Sequence, residues 1–310
     1  MRLLTFVDGS EPRLGRLLGD DSTVVDLTAG GSPLLASMLA YLDGGDAARE
    51  AAAAASAPTR SLADVTLLAP LPRPRSVRDC MVFERHIVQA TRTVTRWKMG
   101  RFEPLARPFL KLSKVWYEQP IFYKSNRFSV VGPDAEVRMP AGTQKFDYEL
   151  EWAAVIGREG RDIPRERAFE HIAGFTIFDD FTARDIQIRE MRARLGPAKG
   201  KDFDTGNAVG PYLVTPDELA DPYNLTMVAR VNGEEWSRGT TADMYHRWED
   251  VIVHLSRDET LYPGELIGSG TVGGGCGLEL DRFLNAGDLV ELEAEGLGVL
   301  RNRVVAAGDG

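Results

Sequence analysis

Beyond residue 120 the chain is dominated by seven short apolar or alternating runs, bounded by Gly, Pro, Asn or Asp. They are Ile121–Lys124, Tyr148–Ile156, Ile172–Phe178, Tyr212–Val214, Leu225–Val231, Leu266–Ser269 and Leu289–Ala294. Such runs read as strands. Helical signals are fewer. One helix is expected from about Thr182 to Leu195, where Thr182 and Asp185 have capping-box spacing and Gly196-Pro197 stops the pattern, and another from about Met244 to Leu255. Strands without a strand-helix-strand rhythm predict an α+β fold with a large mixed or antiparallel sheet.

The first 70 residues read differently. Two or three strands are expected between residues 3 and 27, with turns at Asp8–Pro12 and Gly19–Ser22. Helices follow over Ser32–Leu42 and from Asp46 to about Ala55. Pro70, Pro72 and Pro74 then withhold backbone donors and disfavour helix in the residues before them. They divide the sequence into a small N-terminal α/β domain, 1–70, and a larger domain, 71–310.

A net charge of −9 argues against nucleic-acid binding, which requires a basic surface. One segment departs from that average: Arg85 to Lys114 holds eight Lys or Arg residues and a single acid, Glu103. It reads either as a solvated basic stretch or as a lid over an anionic substrate. Two cysteines, Cys80 and Cys276, cannot build a disulfide framework and are expected to be free thiols. The N-terminal apolar run is too short for a signal peptide, and no stretch approaches a membrane span, so a soluble cytoplasmic protein is expected.

Several acids sit inside apolar segments. Asp79 lies seven residues before His86, Glu149 and Glu151 lie in Asp147-Tyr-Glu-Leu-Glu151, and Asp180 ends the run that begins at Ile172. Clustered carboxylates losing hydration need a compensating cation, and oxygen donors suit Mg²⁺, Mn²⁺ or Ca²⁺. On a regular strand Asp147, Glu149 and Glu151 share a face, which leaves Asp147 a rival ligand. Asp180 also has the position of a helix cap. On the following helix Arg184, Gln187 and Met191 share a face, so Arg184 and Gln187 can point at whatever Asp180 holds. His86 has the side chain suited to act as a base near neutral pH. Lys201, in a loop, reads equally as an ordinary surface lysine, and Glu279 as a base partner or an edge carboxylate. The glycine-rich Gly268–Gly277 lacks a nucleotide-binding signature and reads as a loop whose amides approach a ligand. Nothing adjacent in sequence supplies Cys276 with an activating base.

Taken in order, these segments resemble the fumarylacetoacetate hydrolase family over roughly residues 70–310. The motifs are Asp79-x6-His86, Glu149-x-Glu151, Asp180-x-Thr-Ala-Arg-Asp-Ile-Gln187, Gly200-Lys-x-Phe203, Leu261-x-Pro-Gly-Glu-Leu-Ile-x-x-Gly-Thr271 and the Leu-Glu-Leu around Glu279. The resemblance implies a mixed β-sandwich roll, a homodimer, and a metal site of Asp79, Glu149, Glu151 and Asp180. It further implies His86 as general base oriented by Glu279, with Arg184, Gln187 and Lys201 stabilising developing negative charge and Tyr123 and Thr271 contacting substrate. The implied activity is Mg²⁺- or Mn²⁺-dependent C–C bond hydrolysis of a 1,3-diketo or acylpyruvate-type acid. Oxaloacetate decarboxylation and keto-acid isomerisation or hydration are alternatives on the same site, and a metabolite-binding protein without catalysis is an alternative of another class. Met81 stands where the fumarylacetoacetase branch has a tyrosine.

Overall fold

The structure is a computed structural model that describes residues 1–9 and 11–308. The turn expected at Asp8–Pro12 includes Ser10, which lies outside them. Among the described residues, a twelve-stranded sheet has a main path of Thr59–Ser61, Thr23–Asp26, Pro12–Leu17, Arg2–Val7, Asn207–Val214, Ile172–Asp180, Leu150–Ile156, Leu266–Gly268, Val77–Cys80 and Phe122–Ser125. Most neighbours run antiparallel, and Leu266–Gly268 lies parallel to Val77–Cys80. A second, five-stranded sheet has the order Glu234–Thr240, Thr226–Val231, Leu289–Ala294, Gly298–Val305 and Glu136–Arg138. Helices and a mixed two-sheet body make the fold α+β, as the sequence pattern predicts. The connection containing Pro70, Pro72 and Pro74 lies between Thr66–Leu68 and Val77–Cys80, and the large sheet continues across it through the pairing of Arg2–Val7 with Asn207–Val214.

The strand Leu150–Ile156 is buried along its whole length because both of its faces meet protein. Leu150, Trp152, Ala154 and Ile156 enter the main core, which draws on both sheets. Ala153 and Val155 join a second core with Met38, Tyr41, Ala48 and Ala52 of the N-terminal helices. In the main core Trp152 meets Phe175 at a ring-centroid distance of 4.8 Å and Trp248 at 5.2 Å. Such aromatic pairs contribute about 0.5–1.5 kcal/mol each beyond area burial.

The expected elements shift where side chains compete for the backbone. The helix expected over Ser32–Leu42 splits into a 3-10 turn, Pro33–Leu35, and a helix, Met38–Asp43, because Ser37 caps the second piece by accepting from Ala40 N. The helix expected from Thr182 begins instead at Arg184 and ends at Met191. Thr182 and Ala183 pair with Phe146 and Asp147 as a short ladder, and Thr182 Oγ1 donates to Asp180 O. Asp185 accepts from Thr143 Oγ1 and Gln144 N, so the capping box does not form. Val77–Cys80 and Glu136–Arg138 are too short to stand out as runs, and in Glu234–Thr240 and Gly298–Val305 charged residues on the exposed faces mask the alternation.

Candidate active site

Neighbouring strands of the large sheet carry the acids to one place. Asp79 is the last residue but one of the strand Val77–Cys80, Glu151 the second of Leu150–Ile156, and Asp180 closes Ile172–Asp180. Between the first two runs Leu266–Gly268, and a Cβ on Gly268 would collide with Asp79 Oδ1 and Phe178. A carboxylate oxygen from each of Asp79, Glu151 and Asp180 lies within 4.8 Å of one from the others. All three residues are buried. Burial, reinforced by the charge of Asp180, pushes the Asp79 carboxyl up to about 7. Burial also raises Asp180 to about 6 against the pull of Lys201, and it raises Glu151 well above the carboxylate range with help from Asp79 and Glu149. Gly270 N donates to Asp79 Oδ1 at 3.1 Å and to Glu151 Oε2 at 3.0 Å, whereas Asp180 Oδ1 is buried with no hydrogen-bond partner.

Glu149 stands outside that trio. Its Oε1 accepts from Arg184 Nη2 at 2.7 Å and its Oε2 from Lys201 Nζ at 2.5 Å, and Lys201 also donates to Asp180 Oδ2. Burial would raise the Glu149 carboxyl, but Arg184 and Lys201 outweigh it and hold the group below its usual range. The chain is irregular before Leu150, so Asp147 and Glu149 close on Arg184 while Glu151 turns to Gly270. Lys201 is therefore buried among acids and is not a surface lysine.

Arg184 is a hub. Nε donates to Asp147 Oδ2 at 2.7 Å and Nη1 to Gln187 Oε1 at 3.2 Å, in addition to the Glu149 contact. Asp147 is then completed by Gly277 N at 2.7 Å and Leu278 N at 2.9 Å. Arg184→Ala would leave Asp147 and Glu149 short of their buried counter-charge. We expect a loss of about 3–5 kcal/mol in unfolding free energy, read by urea denaturation.

His86 and Glu279 come together across the chain, with Nδ1 2.7 Å from Oε1, and Gly274 N donates to Glu279 Oε2 at 2.8 Å. Asp79 and His86 are joined by more than a loop, since His86 sits in the first turn of the helix Glu84–Met99. The amides of the glycine-rich loop thus serve the protein's own carboxylates, Asp79, Glu151, Glu279 and Asp147. Cys276, expected to lack a nearby base, has its Sγ 3.9 Å from His86 Nδ1. Their separation by 190 positions hid the contact.

Asp79, His86, Glu149, Glu151, Arg184, Gln187, Lys201, Tyr123 and Thr271 all line one cavity of about 650 Å³. Tyr123 donates to Asp180 Oδ2, and Thr271 Oγ1 to Glu151 Oε1 at 3.3 Å. The helix Glu84–Met99 supplies an apolar wall of Ile87, Ala90 and Val94. Of the eight basic residues in Arg85–Lys114, Lys98 lines the cavity; Arg96 pairs with Asp281 and Arg107 with Glu103. Asp147 and Asp179 were missed as organisers of the site. Asp179 is fully buried, accepts from Glu149 N at 2.9 Å, and is pushed up by desolvation. Its place beside Asp180 at the end of an apolar run was the available signal.

Residues 104–305 match a model of the fumarylacetoacetate (FAA) hydrolase C-terminal domain. The sequence is 36% identical over 299 residues to mitochondrial oxaloacetate tautomerase FAHD2A of Homo sapiens, covering 95% of this chain and 88% of the relative. Among solved structures, fumarylacetoacetate hydrolase from psychrophilic Exiguobacterium antarcticum aligns with a TM-score of 0.77 and 28% identity over 99% of both chains. A 5-carboxymethyl-2-hydroxymuconate delta-isomerase from Mycobacterium smegmatis aligns with a TM-score of 0.73 and 26% identity over 100% of both.

Proposed function

Because this chain belongs to the fumarylacetoacetate hydrolase family, we propose that it is a divalent-metal-dependent enzyme that interconverts the keto and enol forms of a small dicarboxylic 2-oxo acid of the oxaloacetate type. The observation that carries the reading is the position of the His86–Glu279 pair beside the cavity lined by Asp79 and Glu151. The donor chemistry fits a hard cation, with oxygens alone in the trio and one of them, Asp180 Oδ1, buried without a partner. Asp79, Glu151 and Asp180 would hold the ion, with Glu149 tied to Asp180 through Lys201. When bound, Mg²⁺ or Mn²⁺ supplies a Lewis acid that lowers the energy of an enolate.

The protein's own groups move the proton. Glu279 accepts from His86 Nδ1–H, which leaves Nε2 as the base. Nε2 takes a proton from the carbon between two carbonyls and returns it to oxygen, or runs the transfer in reverse. One C–H bond is exchanged for one O–H bond as the C=O double bond gives way to C=C, and no carbon–carbon σ-bond breaks. Lys98 and Arg192 add positive charge to the cavity lining for the substrate carboxylates, and Arg184 keeps the Gln187 carbonyl, leaving its NH₂ to donate. Relatives named as oxaloacetate tautomerases support this outcome.

A second reading, C–C bond hydrolysis of a 1,3-diketo acid, draws support from the same dyad, which can deprotonate water, and from the solved relative named fumarylacetoacetate hydrolase. The test supplies oxaloacetate and an acylpyruvate with Mg²⁺ or Mn²⁺ in H₂¹⁸O. Loss of enol absorbance with no new acid is expected from oxaloacetate. Two acids, one carrying ¹⁸O, from the acylpyruvate and no enol decay would replace the tautomerase reading by the hydrolase one.

The raised carboxyls also predict a pH signature without turnover. A folded-state pKa above the unfolded value means stability is greatest below about pH 4 for these groups and is lost as pH rises through about 6 for Asp180 and about 7 for Asp79. A cation reverses that loss by replacing the protons. At about a hundred times its dissociation constant, Mn²⁺ should raise the melting temperature by roughly 5 °C at pH 8. The gain should shrink toward zero by about pH 5. Melting curves that ignore both Mn²⁺ and EDTA would contradict the metal site.

A further inference from the structure

The dyad has a third neighbour that proton transfer does not use. Cys276 Sγ lies 3.6 Å from Glu279 Oε1 and 3.9 Å from His86 Nδ1, and donor atoms from all three residues fall within 4.8 Å of one another. This set of nitrogen, sulfur and oxygen differs in kind from the all-oxygen trio on the sheet. Thiolate and imidazole suit Zn²⁺, whereas carboxylates alone suit Mg²⁺ or Mn²⁺.

We propose that His86, Cys276 and Glu279 form a second cation site, selective for Zn²⁺ and related thiophilic ions, whose occupation switches the dyad off. A tetrahedral zinc with bonds of about 2.0–2.3 Å separates its ligand atoms by roughly 3.3–3.6 Å. The two distances from Cys276 already approach that spacing. The His86–Glu279 contact at 2.7 Å must open by about 0.6 Å to reach that spacing, which follows when the shared proton is displaced. The Cys276 backbone is held by its bridge to Glu149 and the Glu279 carboxylate by Gly274 N, which limits the movement needed to receive an ion. His86, on the cavity wall, gives the entry side and leaves the fourth position to water.

No redox step is involved. The thiol proton leaves to solvent, and the ring proton moves from Nδ1 to Nε2 as Nδ1 takes the metal. Nε2 then carries a hydrogen and cannot act as base. Zinc binding stands apart from the proposed tautomerase activity; its inhibitory consequence rests on that reading.

The experiment uses the full-length protein saturated with Mg²⁺ and titrated with ZnCl₂ against a zinc indicator, in parallel with Cys276→Ser and Cys276→Ala. Wild type should take up one Zn²⁺ about tenfold or more tightly than either variant, consistent with loss of a thiolate ligand. CoCl₂ in place of zinc should give a thiolate charge-transfer band in the wild type alone. Where turnover is measurable, Cys276→Ser should keep its Mg²⁺-supported rate and lose its sensitivity to zinc. Equal zinc affinity in wild type and variants, which would assign the ion to the carboxylate trio, would overturn the proposal. So would the absence of a thiolate–cobalt band from the wild type, a result that requires no variant to fold. Neither readout depends on which substrate is turned over.

Discussion

His86→Ala is expected to lower kcat by about 10²–10⁴, the usual contribution of a positioned general base, while the Mn²⁺-induced rise in melting temperature stays intact. The separation follows from geometry. His86 bonds to Glu279 through Nδ1, and the three carboxylates that converge belong to strands of the large sheet. Removing the imidazole therefore deletes the base and spares the cation's donors. His86→Gln sharpens the test, because its amide can still reach Glu279 without being able to accept a proton near neutral pH. Steady-state kinetics of both variants with a turned-over substrate, beside their melting curves, checks the assignment. Unchanged kcat in both would remove His86 from the reaction.

Asp180→Asn should have an effect of similar size by a different route. It neutralises the one trio member that also meets Lys201 and Tyr123 and that has an unpartnered buried oxygen. A bound metal stabilises developing charge by several kcal/mol, so its loss lowers turnover by about 10²–10⁴. Here the melting temperature should no longer respond to Mn²⁺. The unliganded variant should resist rising pH better than wild type, since one of the repelling buried carboxylates is gone. If the variant still melts higher with Mn²⁺ by the wild-type increment, Asp180 does not hold the ion.

The two variants together separate proton transfer from cation binding. The contrast was partly legible beforehand. Acids inside apolar runs announce themselves because a buried carboxylate without a partner is costly, and Asp79, Glu151 and Asp180 each stand in or beside such a run. Glu149 announced itself the same way, yet its oxygens are engaged by Arg184 and Lys201. Strand alternation placed it near Glu151, and both line the cavity, but which cations answer it is decided by Arg184 and Lys201, 35 and 52 positions away. From its own segment Lys201 reads equally as an ordinary surface residue. Its loop has polar, glycine-rich composition, and burial arises from the acids that surround it in space.

Local sequence therefore determined the classes of element and of chemistry. Period-two runs with turn residues at their ends specified a sheet-rich α+β body, and oxygen-bearing side chains in apolar surroundings specified a demand for positive charge. Those signals act over a few residues, so a few residues suffice to read them. Tertiary structure decided which charge answers which acid. Arg184 and Lys201 take Glu149, Gly270 N serves Asp79 and Glu151, and His86 meets Glu279 and Cys276 across 193 and 190 positions. Coulombic and hydrogen-bond energies depend on ångström separations between groups whose distance along the chain carries no such information, and only the packing of helices and loops against the sheet sets them.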